Sequence, residues 1–115
     1  MRTKTKALKI ARIANEKKGE DIVVLDVRKV CNFTDYFVLG TGQTTLHLRA
    51  ICEEVNKKLR ESEVVLFGSD GLAANSWCVM DYGDVLFHCF TEEARQYYDL
   101  ERLWGDAPQI EWQKK

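Results

Sequence analysis

The 115-residue chain is poor in several things that would have signalled a function directly. It has one proline, Pro108, and 17 basic side chains against 18 acidic ones, for a net charge of −1. Wrapping nucleic acid by charge alone needs a clustered Lys/Arg excess, which this balance denies. No apolar run approaches the ~18 residues of a membrane span, which excludes a transmembrane protein. The four cysteines, Cys31, Cys52, Cys78 and Cys89, share no CxxC spacing and follow no secretory signal. They read as small buried hydrophobes of a reducing, cytoplasmic compartment. His47 and His88 are the only histidines, whereas zinc needs three or four converging ligands. No Ser or Cys stands in a nucleophile elbow.

What is present suits a soluble globular protein: 45% hydrophobic and 30% charged residues, in a chain long enough to bury roughly two-thirds of its unfolded surface. Residues 1–115 read as one domain, with a core over about 5–107 and a short tail over 108–115. Charge is segregated along it. Residues 1–18 carry seven cations and one carboxylate (+6), and residues 81–106 carry two cations and seven carboxylates (−5). The basic end reads as a solvated helix face. In the acidic end aromatics are interleaved with the carboxylates, a composition that suits a basic protein partner.

Periodicity predicts a helix over Thr5–Lys18 ended by Gly19, a strand over Ile22–Val27 buried on both faces, and a second strand over Tyr36–Thr41. A long helix follows over Thr45–Arg60, with the stripe Leu48, Ile51, Cys52, Val55 and Leu59 and an N-cap at Thr44 or Thr45. Val64–Phe67 reads as a strand and Gly68–Ser76 as a loop holding Asp70 and Asn75. Trp77–Phe90 reads as a hairpin around Gly83, with Val85, Phe87 and Cys89 on one face and Leu86, His88 and Phe90 on the other. A last helix is capped by Thr91, carries Tyr97, Tyr98, Leu100, Leu103 and Trp104, and stops by Gly105 and Pro108. The order α-β-β-α-β-β-β-α gives an α/β fold, a single-layer mixed β-sheet flanked by helices.

Thr41-Gly42-Gln43-Thr44-Thr45 joins a strand to a helix, but it lacks the second glycine and the lysine of a P-loop and reads as a plain cap. Asp81 and Asp84 flank a turn and could hold Mg²⁺ as a metal-dependent nucleotidyltransferase would; hairpin turns also favour Asp for local hydrogen bonds. The chain reads as no enzyme, with neither metal nor cofactor. The group Trp77, Asp81, Tyr82, Asp84, Tyr98 and Glu101 has the composition of interface anchors with a charged rim. That Trp77 and Tyr98 belong instead to the core stays open.

The sequence resembles the ribosomal silencing factor (iojap-like) family from about residue 7 to 107. The resemblance is carried by Asp21-Ile22-Val23-Val24-Leu25-Asp26-Val27, Thr34-Asp35-Tyr36-Phe37-Val38 with Gly42, and Gly71-Leu72-Ala73 leading to Trp77. It continues through Asp81-Tyr82-Gly83-Asp84-Val85 with His88 and Phe90, and Arg95-x-x-Tyr98-x-Leu100-Glu101-x-Leu103-Trp104. It implies a nucleotidyltransferase-like fold without the catalytic carboxylates. It also implies binding to the large ribosomal subunit through large-subunit protein fourteen, which sterically blocks joining to the small subunit and lowers translation when nutrients are scarce. The partner-binding residues so implied are Trp77, Met80, Asp81, Tyr82, Asp84, His88, Arg95, Tyr98, Leu100 and Glu101. Thr41-Gly42-Gln43-Thr44 departs conservatively from the family's Ser-Gly-x-Ser loop. A large-subunit assembly role without silencing, and a homodimer of the free protein, are the readings left beside it.

Overall fold

Ala7, Ile10, Ala11 and Ala14 recur at helical spacing, and together with Ile13 they form the buried stripe of the first helix, α1 (Thr3–Glu16). The computed structural model describes residues 1–71 and 76–113, except the side chains of Leu100 and Leu103. Leu72, Ala73, Asn75 and the last two residues, on which some expectations fall, lie outside the described residues. The strands β1 (Glu20–Asp26) and β2 (Tyr36–Gly42) follow α1, and the second is buried along its whole length. Helix α2 (Thr45–Glu61) buries the expected stripe, and its cap is Thr44, whose hydroxyl accepts from the backbone N–H of His47 at 3.0 Å. Then come β3 (Gly68–Asp70), β4 (Trp77–Asp81), β5 (Val85–Thr91), α3 (Glu92–Tyr98), α4 (Leu100–Leu103) and β6 (Gln109–Ile110).

The six strands form one mixed sheet in the order β3-β4-β5-β2-β1-β6. β2 and β5 run parallel at its centre, and the other neighbours pair antiparallel. One face carries Val24, Tyr36, Val38, Cys78, Met80, Tyr82, Val85, Phe87 and Cys89, and α1 and α2 lie on it. The opposite face carries Leu25, Phe37, Leu39 and Phe90, with Trp77, Leu86 and Trp104 partly buried around them. There α3 packs on β5 and β2. The two faces are unequally covered, and that asymmetry creates the candidate site.

Three local expectations need correction. Val64–Phe67 is extended but unpaired until Phe67, whose N–H reaches the Asp81 carbonyl at 2.8 Å. The ladder partner β4 ends at Asp81, so the strand is Gly68–Asp70, inside the expected loop. The last helix is not continuous. Asp99 takes a left-handed conformation (φ +48°) and splits it, a state that Asp tolerates better than most residues. The stretch read as a tail returns to the sheet: Ile110 and Gln109 pair with β1, and Trp112 Nε1 donates to the Ile22 carbonyl at 2.9 Å. The Gly83 turn is as expected. Its φ of +88° matches the two-residue hairpin form that takes glycine at the first central position.

Candidate partner-binding face

Strand alternation decides which side chains of the hairpin meet solvent. Trp77, Val79 and Asp81 share a face with Leu86, His88 and Phe90, away from the two long helices, while Cys78 and Met80 point the other way. Trp77 is half-buried, and its ring lies 4.5 Å from that of Tyr98, 5.3 Å from Phe90 and 5.9 Å from His88. Its Nε1 donates to His88 Nδ1 at 3.2 Å. His88 is itself buried, edge-on to Phe37 at 4.9 Å, and Phe37 meets Trp104 edge-on at 5.3 Å. A continuous aromatic layer therefore runs across this face and surfaces at Trp77, Tyr98 and Tyr97, the last two 49% and 83% exposed.

Carboxylates cluster on α3 and just after it. Glu92, Glu93 and Asp99 are exposed on or beside α3, and none of them forms an ion pair among the described residues. The break at Asp99 has a second effect. Residues six apart on a continuous helix face different ways, yet here Arg95 Nε donates to Glu101 Oε1 at 2.8 Å. Arg95 Nη1 also donates to Thr41 Oγ1 at 2.8 Å, and its side chain is only 10% exposed. A cavity of about 450 Å³ opens beside this pair, with Asp21, Glu92, Asp99 and Glu101 in its wall. Such a wall suits a cationic side chain.

The expected site residues thus separate. Trp77, Asp81, Tyr98 and Glu101 reach the surface of this face. Met80 and Tyr82 do not: they are 2% and 0% exposed, and both pack into the core beneath α2. They share the parity of Cys78, so the alternation that exposes Trp77 buries them. Tyr82 donates its hydroxyl to Asn56 Oδ1 at 3.4 Å, and burial holds its pKa above the ordinary value. Neither side chain reaches the surface. His88 lies under the surface rather than on it. Asp84 accepts from Lys6 Nζ at 2.6 Å and from the Thr3 hydroxyl, so its charge is spent on docking α1. Arg95 is committed as described, and the Leu100 side chain lies outside the described residues. Asp81 Oδ1 accepts from the Gly83 N–H at 2.7 Å. Asp81 and Asp84 therefore answer to separate partners.

Tyr97, Phe67 and Phe33 are exposed aromatics that were not among the expected site residues. Tyr97 extends the patch along α3. Phe67, 70% exposed, lies over the Gly83 turn. Its signal was a period-two pattern: Val64 and Leu66 pack on the core while Val65 and Phe67 face out. On the helical side, Arg2, Lys4, Arg12, Lys17 and Lys18 are exposed and unpaired among the described residues. His47 ties this side together, accepting from the Gln43 N–H at 2.9 Å through Nδ1 and donating from Nε2 to the Lys17 carbonyl at 2.7 Å. No described helix is long and apolar enough to cross a membrane.

Residues 1–115 match the family described as "Ribosomal silencing factor during starvation". The chain is 37% identical over 102 residues to the ribosomal silencing factor RsfS of Bacillus subtilis (strain 168), covering 88% of this chain and 86% of that one. It is 32% identical over 100 residues to a Mus musculus protein named "Mitochondrial assembly of ribosomal large subunit protein 1", covering 83% of this chain and 43% of the longer mouse protein. A crystal structure of a Chromobacterium violaceum protein superposes with a TM-score of 0.87 at 33% identity, covering 91% of this chain and 88% of the other.

Proposed function

We infer the function from one premise: this chain belongs to the ribosomal silencing factor family. It acts in the cytoplasm as a binding protein rather than an enzyme, docking on the large ribosomal subunit and obstructing the small one. The partner is a basic protein of the large subunit, large-subunit protein fourteen by family resemblance. The observation that carries this reading is the half-buried Trp77, its ring tilted against that of half-exposed Tyr98 at 4.5 Å, on the face where α3 carries its exposed carboxylates. A rigid ring already packed on one side loses little entropy on docking, and a central anchor of this kind contributes ~2 kcal/mol or more, a factor of ~30 in affinity. Asp81, Glu101, Glu92, Glu93 and Asp99 form the rim, which governs association rate and salt dependence. The unpaired cations of α1 lie on the other side of the sheet, where a minor contact to ribosomal RNA is their natural use.

The name of the mouse relative supports a second reading, assistance in large-subunit assembly. One experiment separates the two. Purified protein is added to isolated large subunits, small subunits follow, and the particles are separated by sedimentation. Obstruction predicts co-sedimentation with large subunits and loss of the joined particle, with both effects abolished by Trp77→Ala. Binding without any effect on joining would leave assembly as the better reading. Undiminished binding of the Trp77→Ala protein would refute this choice of surface.

A further inference from the structure

We propose that His88 is a positioning residue: without touching the partner, it holds the Trp77 indole in its binding orientation through a buried hydrogen bond. The proposal deepens the reading of Trp77 as an anchor and rests on it. An indole N–H is only a donor, so the 3.2 Å contact from Trp77 Nε1 requires His88 Nδ1 to be the unprotonated nitrogen. The ring proton then sits on Nε2, which is buried and has no hydrogen-bond partner. Burial pushes the His88 pKa down to about 4, so the ring is neutral at neutral pH and Nδ1 is always available as an acceptor. The imidazole cannot readily turn away. Phe37 meets it edge-on at 4.9 Å, and Phe90 lies nearly parallel, at 10° and 6.1 Å.

A lone buried donor is unfavourable, and a phenyl ring at this position would extend the same aromatic layer without one. What imidazole supplies and phenyl lacks is an acceptor aimed at Trp77. The residues are diagonal neighbours on adjacent strands, since Trp77 pairs with Phe90 and Val79 with His88, so the bond fixes the rotation of the indole about its side-chain torsions. Phe90 and Tyr98 flank the ring by contact alone, and ring contacts constrain orientation less sharply than a hydrogen bond does. Loss of one net hydrogen bond lowers the population of the held orientation about fivefold, and apparent affinity falls by that same fraction.

The test uses the full chain and the variants His88→Phe and His88→Asn, whose amide oxygen stands close to the place of Nδ1. In the free protein, the Trp77 indole N–H resonance and its solvent exchange are read by NMR, and affinity for isolated large subunits is measured beside them. Expected for His88→Phe is cooperative unfolding at an unchanged or higher temperature, a fast-exchanging indole N–H and about fivefold weaker binding. His88→Asn should recover indole protection and most of the affinity, which a merely structural role for His88 would not produce. An indole as protected in His88→Phe as in the wild type overturns the proposal, as does a loosened indole with undiminished binding. Wild-type protein that ignores large subunits would sink the proposed function instead, while indole exchange would still report whether His88 holds Trp77.

Discussion

Replacing Asp84 by alanine tests whether this residue, which sequence composition groups with the partner-facing carboxylates, belongs to the fold instead. In the structure it receives Lys6 Nζ at 2.6 Å and the Thr3 hydroxyl, joining the first turns of α1 to the tip of the β4–β5 hairpin. The Lys6 side chain is 12% exposed and that of Asp84 33%. After the substitution the ammonium keeps the Tyr82 carbonyl, at 3.2 Å, as its remaining partner. An exposed pair contributes at most ~1 kcal/mol and breaking a fully buried one costs ~3–5 kcal/mol; this half-buried pair lies between, at about 2 kcal/mol. For a chain of 115 residues that lowers Tm by roughly 8 °C. The pH dependence has a definite sign. Partial burial pushes the Asp84 carboxyl up, but the Lys6 and Thr3 hydrogen bonds outweigh it and hold the group below its ordinary 3.8. Its contribution is therefore complete above that value and fades only as pH falls through the depressed folded-state pKa. Calorimetry from pH 7 downward should show the wild-type advantage over Asp84→Ala constant at first and shrinking only in strong acid. Affinity for large subunits, measured well below either Tm, should change less than twofold. An unchanged Tm with lost binding would refute this assignment and return Asp84 to the interface.

Gly42→Ala should destabilise by ~2–3 kcal/mol or prevent folding, because an added Cβ would lie 2.7 Å from the Leu48 amide nitrogen, backbone that cannot yield; a normal melting curve would contradict the close approach. His88 predicts a separate acid effect. Its folded pKa of about 4 lies below its ordinary 6.5, so the unfolded chain binds the proton more readily and stability should fall by ~2–3 kcal/mol from pH 7 to pH 4. Urea unfolding at the two pH values checks this, and His88→Phe should flatten the difference. If α1 touches RNA phosphates, Lys4→Gln with Arg12→Gln should weaken large-subunit binding and reduce its salt slope by about 1–2; an identical slope would exclude that contact.

The segregated charge acquires its meaning from the sheet. The basic segment becomes α1 on one face, and the acidic segment becomes the end of the hairpin with α3 and α4 on the other. Opposite charges on opposite sides give the molecule an orientation in the field of a larger particle before contact, the condition for steered association.

Much of the architecture is legible in sequence because it is local. The stripes of α1 and α2, the caps at Thr44 and Thr91, the Gly83 turn and the two faces of β5 follow from spacing and turn chemistry, and each stands where the pattern put it. The misjudged elements depend on distant partners. Val64–Phe67 has the composition of a strand, but pairing waits for Asp81 to come alongside. Gln109–Ile110 is too short to announce itself and exists because β1 offers a free edge. Asp99 breaks a helix whose apolar spacing continues through it.

Composition and motif spacing thus determine which family this chain joins, which segments are helical or extended, and which sign of charge each end carries. They leave undecided which aromatic is an anchor. Trp77 begins β4 and Tyr82 follows its last residue, yet one surfaces and the other is sealed beneath α2. The difference is set by what covers each face of the sheet: two long helices on one side and a short, broken pair on the other. Burial depends on the element packed opposite, which is remote in sequence, and only the assembled sheet and helices supply it.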